Sequence, residues 1–182
     1  MRISQTPTLD HMYRIGMAGF GQAELIEGLL LAQPGRILDI GCGPQGHHVT
    51  NLARFGTFIA AADHDCLTVA EARADVRADD ASWLVADAYR LPFLSNTFQH
   101  VIGLGLLAYI HEPSLLLREL ARLTTWMGTI ILTTSSSRPR EPVLEGATHA
   151  GLRLLLENDA PCPAASGETK RRTLFVFQVA AT

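Results

Sequence analysis

Three aspartates, each closing a short apolar run, and one cluster of glycines hold the chemistry that this sequence can offer. The stretch RILDIGCGPQGH at 36–47 places Asp39 two residues before Gly41, and Gly43 and Gly46 complete a literal G-x-G-x-x-G. Glycines in such a turn let the backbone approach a ligand closely. Alone, the pattern suits a dinucleotide pyrophosphate at a helix N-terminus. Asp39 argues the other way, because negative charge beside a phosphate site is repulsive. Asp63 ends the run TFIAAAD, 17 residues beyond Gly46, where a carboxylate can accept hydrogen bonds from ribose hydroxyls. Asp87 ends SWLVAD. Three carboxylates around one crevice suit a ligand with several donors and a cationic group.

The segments that must position them alternate in type. RILDI, TFIAAAD, SWLVAD, HVIGLGL and TIILTT are short runs, apolar on both faces, as parallel strands covered on both sides should be. Helical patterns follow most of them: HHVTNLARF, CLTVAEARADVR, HEPSLLLRELARL and a short helix near 142–150. In the helix at 113–123, Pro113 suits the first helical position and Leu116, Leu120 and Leu123 form one stripe, with Arg118, Glu119 and Arg122 on the remainder. GLRLLLEN and TLFVFQVA then read as two strands joined without a crossover helix, so they pair antiparallel. The class is therefore α/β: a doubly wound, seven-stranded sheet, mostly parallel with an antiparallel last strand and helices on both faces. The chain reads as a single domain, 1–182, with an N-terminal helical cap at 1–34 and a core at 35–182.

Composition narrows the function classes. A chain of 182 residues with 47% hydrophobic and 18% charged content can bury a substantial core. A formal charge of −3 argues against nucleic acid as a partner, and no run is long and apolar enough for a membrane span. Three widely separated cysteines make a disulfide framework unexpected and point to a reducing cytoplasm. No metal site is expected: HDC at 64–66 is the nearest approach to a ligand cluster, and adjacent side chains do not converge on one point.

Taken together, LDIGCG at 38–43, Asp63 after the second strand, DAYRLPF at 87–93 and LREL-x-RL within 117–123 resemble the class I S-adenosylmethionine-dependent methyltransferases, especially the small-molecule, quinone C-methyltransferase-like branch. The resemblance spans roughly residues 36–134. It implies a Rossmann-like methyltransferase fold, S-adenosylmethionine as cofactor and transfer of a methyl group to a small-molecule acceptor. It further implies that Asp39 organises the loop and holds the methionine amino group, with Gly41, Cys42 and Gly43 along the ligand. Asp63, with His64 beside it, takes the ribose hydroxyls. Asp87 accepts from the adenine amino group, Ala88 adds a backbone contact, and Leu104 and Gly105 line the floor where the methyl group points.

Three positions depart from the family pattern: Gln45 in place of the third loop glycine, FQ at 98–99 before the fourth strand, and TTWMG at 124–128 for the turn before the fifth. Transfer from a sulfonium needs alignment first, and a base only when the acceptor arrives protonated. Tyr109 and His111 after the fourth strand, and His11 or Tyr13 in the N-terminal segment, are the candidates for that base. The alternative for each is packing or capping. The cations at 170–172 either face water or, from the crevice side, meet an acidic substrate. Only about sixteen residues separate the fifth and sixth strands, too few for a substrate lid. The acceptor pocket must then come from residues 1–31, which would close over bound cofactor, from the late loop, or from a homodimer mate or partner protein. Two other readings stand beside this one: a non-catalytic binding or partner subunit on the same fold, and an NAD-dependent oxidoreductase using the glycine motif.

Overall fold

The computed structural model describes residues 22–44, 49, 52–75, 81–135, 137, 139–163 and 169–180. Helix α1 (Gln22–Ala32) leads into β1 (Gly35–Ile40) and β2 (Gly56–Asp63). Then come α2 (Cys66–Asp75), β3 (Ala81–Val85) and β4 (Phe98–Gly103). A 3-10 turn (Leu106–Tyr109), α3 (Pro113–Leu123), β5 (Thr124–Ser135), α4 (Glu141–His149), β6 (Leu152–Pro163) and β7 (Thr169–Val179) complete the order. The strands form one sheet in the order β3-β2-β1-β4-β5-β7-β6. All neighbours are parallel except β7, which runs antiparallel to both β5 and β6. The doubly wound sheet and its single reversed strand are as the alternation of segments predicts.

Two apolar layers sandwich the sheet, because successive strand residues point to opposite faces. Leu38, Val101, Ile130 and Phe175 face α3 and α4. Ile37, Ile102, Ile131 and Leu174 face α1 and the pair Val49 and Leu52. Helix α3 buries Leu117 besides the expected stripe of Leu116, Leu120 and Leu123. Each such leucine contributes roughly 2 kcal/mol on leaving water.

Three local differences from the sequence expectation have physical causes. The segment at 159–172, expected as a Pro- and Gly-rich connection, is largely strand: Asp159 to Pro163 pair with Thr173 to Thr169. Proline is tolerated there because β6 is the edge strand, and a missing N–H can face outwards. TTWMG, expected as a turn before the fifth strand, lies inside β5: the register jumps from Phe98–Thr124 to His100–Thr129. The extra residues bulge outwards, with Met127 at φ 61° and Trp126 65% exposed. Glu119 and Arg122, expected on the solvent face of α3, instead clamp the chain before β4. Glu119 accepts from the Leu91 N–H at 2.8 Å, and the Arg122 guanidinium donates to the carbonyls of Leu91 and Phe93 and to both Glu119 oxygens.

That clamp carries a prediction. Arg122→Met keeps the stem but removes several bonds at once and leaves Glu119, mostly buried, without its cation. We expect a loss of about 2 kcal/mol in urea unfolding. An unchanged midpoint would mean that the clamp is ornamental.

Candidate functional site

The C-terminal ends of the parallel strands open on one side of the sheet, and the glycine turn sits there. After β1 the chain turns at Gly41 (φ 71°) and Gly43 (φ 66°), a left-handed backbone that glycine adopts without strain. The N–H groups of Gly41 and Cys42 donate to the Ala62 carbonyl at 2.8 and 3.2 Å, tying the turn to β2. Asp63, at the end of β2, accepts from the Gly43 N–H through Oδ2 and from the Asp65 N–H through Oδ1, both at 3.2 Å. His64 Nδ1 lies 3.0 Å from the same Oδ1. Asp65 then caps α2 by accepting from the Thr68 hydroxyl (2.8 Å) and the Leu67 and Thr68 N–H groups. The Thr68 hydroxyl and then the Leu67 N–H hold its carboxyl below the usual carboxylate range. The D-x-x-T at 65–68 is the sequence signal for this cap, and it separates Asp65, a capping group, from Asp63, which lines the cavity described below.

Asp39 is the unusual member. It is 1% exposed, and both side-chain oxygens are buried without a hydrogen-bond partner. Burial, and secondarily the charge of Asp63, push its pKa up to about 7. The Cys42 thiol is driven to about 12, first by burial and then by the charges of Asp39 and Asp63. A thiol so placed is a poor nucleophile at neutral pH. In peptide-mapped iodoacetamide labelling of native protein, the exposed Cys66 should react and Cys42 should remain unmodified until the chain is unfolded. Equal labelling of the two would contradict the electrostatics described here.

A cavity of about 660 Å³ lies over these strand ends. Gly41, Gly43, Pro44, Asp63, His64 and Thr68 form its wall at β1 and β2. Leu104, Gly105, Leu106, Ala108 and Tyr109 form the part beyond β4, and Ser135, Arg171 and Arg172 the part at β5 and β7. Strand β4 ends at Gly103, so Leu104 and Gly105 lie in the turn after it. The Gly105 N–H there donates to Thr133 Oγ1 at 2.7 Å, fixing the turn to β5.

The structure thus brings Gly41, Gly43, Asp63, His64, Leu104, Gly105 and Tyr109 to one cavity. Asp39 and Cys42 stand behind the turn, buried. Asp87 and Ala88 are not on the cavity wall. Asp87 is exposed and accepts from the Tyr89 N–H at 2.9 Å, a local turn bond, while Ala88 packs against the α3-side core. His111 is likewise off the wall; its N–H, with that of Glu112, donates to the Tyr89 hydroxyl at the start of α3. Tyr109 is 82% exposed. His11, Tyr13, Gln45 and the predicted closing segment lie outside the described residues. Among the described residues no cluster of three ligating side chains could hold a metal ion, and no helix is long and apolar enough to cross a membrane.

This arrangement fits an adenosyl sulfonium cofactor. Beyond Gly43 and Gly105 nothing lies within 4 Å of where a Cβ would stand, so the turns present open backbone to a ligand. The unpartnered Asp39 carboxylate and the rim carboxylate of Asp63 supply negative charge and acceptors, and among the described residues no lysine or arginine stands at this end of the wall to meet a pyrophosphate. The family model of the methyltransferase domain matches residues 38–132, just over half of the chain. The chain belongs to the methyltransferase-domain family. No curated protein matches it in sequence. Solved structures similar to this methyltransferase include a Bacillus halodurans protein described as a methyltransferase, 14% identical, covering 87% of this chain and 98% of that one at a TM-score of 0.75. A Methanosarcina mazei protein described as a SAM-dependent methyltransferase is 13% identical, with 87% and 98% covered and a TM-score of 0.73. A Haloferax volcanii protein, described as a methyltransferase in complex with the Trm112 methyltransferase activator, is 19% identical, with 94% of each chain covered and a TM-score of 0.68. At such identities these likenesses establish the fold alone. The family match removes the oxidoreductase reading of the glycine motif.

Proposed function

We propose that this methyltransferase moves the methyl group of S-adenosylmethionine onto a small-molecule acceptor by in-line displacement. The observation that carries the reading is Asp39, a buried carboxylate with neither oxygen satisfied, held directly behind the glycine turn. A group so costly to bury is explained by a cationic ligand whose charge offsets it. When bound, S-adenosylmethionine supplies an electrophilic methyl group on a cationic sulfur that leaves as a neutral thioether, so alignment can carry much of the acceleration.

The protein's own residues have separate tasks. Gly41 and Gly43 keep the turn low enough for close approach, and Asp63 accepts from the ribose hydroxyls on the rim. Asp39 adds negative potential from behind the turn; its coupling to Asp63 indicates that this field reaches the wall. Leu104 and Leu106 exclude water where the acceptor meets the methyl group. Tyr109, on the wall, is the proposed proton carrier for an acceptor that arrives protonated. Asp87 and Ala88, after the strand next to β2, are proposed for the adenine. We also propose a cytoplasmic location and a second chain completing the acceptor side. The chain between β5 and α4 spans only residues 136–140, and the Haloferax volcanii relative is seen with a partner protein.

The test is calorimetry and thermal shift with S-adenosylmethionine, S-adenosylhomocysteine and NADH. At a hundredfold excess over its dissociation constant a true ligand adds about 2.7 kcal/mol, a shift of roughly 5–10 °C for this length. Both adenosyl-sulfur ligands should bind and NADH should not. Protein blind to both sulfur ligands would refute the proposal.

A further inference from the structure

Two arginines form the wall farthest from the glycine turn, in a chain whose formal charge is −3. They are there because the β6–β7 hairpin outruns its neighbour. Strand β5 ends where Ser135 pairs with Arg172, but β7 continues outwards to Thr169, still paired with β6 at Pro163. The base of this projecting ribbon carries Arg171 and Arg172. Side chains alternate along it, so the two guanidiniums leave on opposite faces.

The two differ in what they already do. Arg171 donates to Asp159 Oδ2 at 2.9 Å and to the Asp159 carbonyl at 3.0 Å, so its charge is largely answered within the hairpin. The Arg172 side chain makes no hydrogen bond or ion pair to any described residue. Its backbone is nevertheless fixed: its carbonyl accepts from Gln22 Nε2 at 2.7 Å, and the residue is held in register by Ser135 on one side and Ala160 on the other. Arg172 shares the sheet face of Ser135, the same face that carries Asp39 and Asp63. The Ser135 hydroxyl beside it accepts from the Ser137 N–H at 3.4 Å and shares a hydrogen bond with the Ser137 hydroxyl at 2.8 Å; with Ser137 as the donor there, its own proton is left for a ligand. Between this pair and the methyl floor at Leu104 and Gly105 the wall is formed by Leu106, Ala108 and the ring of Tyr109.

We propose that Arg172, with Ser135, receives an anionic group of the methyl acceptor, and that the acceptor is a small molecule with an apolar or aromatic body bearing a carboxylate or phosphate. The inference rests on the cofactor reading above, which places the ribose at β2 and the methyl group beyond β4. What remains of the cavity is the end at β5 and β7. From β4 to β7 is two strand spacings, about 10 Å, and the guanidinium shortens that span. One metabolite-sized molecule can touch both. A guanidinium matches carboxylate and phosphate geometry through paired donors, which an apolar wall cannot supply.

The experiment uses the full chain saturated with S-adenosylhomocysteine and titrated with matched probes: benzoate against methyl benzoate, and phenyl phosphate against phenol. Wild-type protein should bind each anion about tenfold or more tightly than its neutral counterpart, with the preference shrinking at high salt. In Arg172→Ala the preference should fall to about one, while S-adenosylhomocysteine affinity stays within about twofold. Arg172→Lys should keep part of the preference, since charge survives and the fork does not. An equal loss of S-adenosylhomocysteine affinity in Arg172→Ala would overturn the proposal, because Arg172 would then hold the cofactor's own carboxylate. Cofactor binding with no anion preference removes this proposal alone; wild-type protein that binds no S-adenosylhomocysteine removes the cofactor reading with it.

Discussion

Asp39→Asn is expected to make the ligand-free protein more stable, by on the order of 4 kcal/mol at pH 8, and to cripple its binding of S-adenosylhomocysteine. The sign follows from the direction of the shift. In the unfolded chain the carboxyl ionises near 3.8; in the fold, burial and then Asp63 raise it to about 7. Between those values the unfolded state has released a proton that the folded state still holds, so stability falls as pH rises, by about 1.4 kcal/mol per unit. Below the lower value the two states are alike; above the higher one the penalty is complete and constant. The amide keeps the shape and never ionises. The difference between variant and wild type should therefore be small near pH 4, grow to pH 7 and level off, as read by urea unfolding across that range. A difference independent of pH would sink the idea. Ligand binding should show the converse. The ammonium group of S-adenosylhomocysteine favours the carboxylate, so wild-type affinity should rise with pH and flatten above about 7, with protons released on binding. Asp39→Asn should lose this pH dependence together with about tenfold to a hundredfold in affinity.

Where the three aspartates come to lie is a matter of what their neighbours do. All three close apolar runs. The chain turns directly after Asp63 and one residue later, past Ile40, after Asp39, so Asp63 stands on the cavity wall and Asp39, inside β1, is buried beneath the glycine turn. Asp87 obeys the same sequence rule, but Tyr89 two residues on offers its N–H, and the side chain closes a local turn. Nothing in spacing distinguishes these outcomes. Partners distant in sequence are equally invisible: the Tyr89 hydroxyl accepting at the start of α3, or His100 buried between Thr129 Oγ1 and the Gln33 carbonyl at 2.6 Å each. Burial lowers the pKa of that histidine, and its two bonds tie β4 to β5 and to the chain before β1.

The fold itself was readable because alternation of apolar runs and amphipathic helices is a property of each segment. The antiparallel pairing of the last two strands was readable too, but their length was not, because it depends on which strand ends the sheet. Prolines at 161 and 163 read as breakers until β6 is known to be the edge. The sequence leaves the cations at 170–172 either solvated or turned to the crevice; the length of the ribbon, which overhangs the crevice, puts Arg171 and Arg172 on the cavity wall.

Asp63→Ala should leave a folded protein that has lost most of its affinity for adenosyl ligands. Within the apo fold the carboxylate accepts from the N–H groups of Gly43 and Asp65, and their loss costs about 1 kcal/mol each. Part of that is returned, since removing Asp63 also removes the repulsion that helps to raise Asp39. A net change of about 1 kcal/mol in stability is therefore expected. Binding has no such offset. Two charge-assisted bonds to ribose hydroxyls at about 1.5–3 kcal/mol each amount to at least a hundredfold in affinity. The control is the 2′-deoxy form of S-adenosylhomocysteine, which should bind wild-type protein more weakly than its parent and bind Asp63→Ala no differently from it. Should the variant still distinguish the two, the ribose is held by some other group. The same variant links the two aspartates: its own unfolding should show the pH at which Asp39 ionises moving down from about 7, yet staying well above 3.8, because burial is the larger cause of the shift. If that pH does not move, the two carboxylates are not coupled, and the field of Asp39 does not reach the cavity wall.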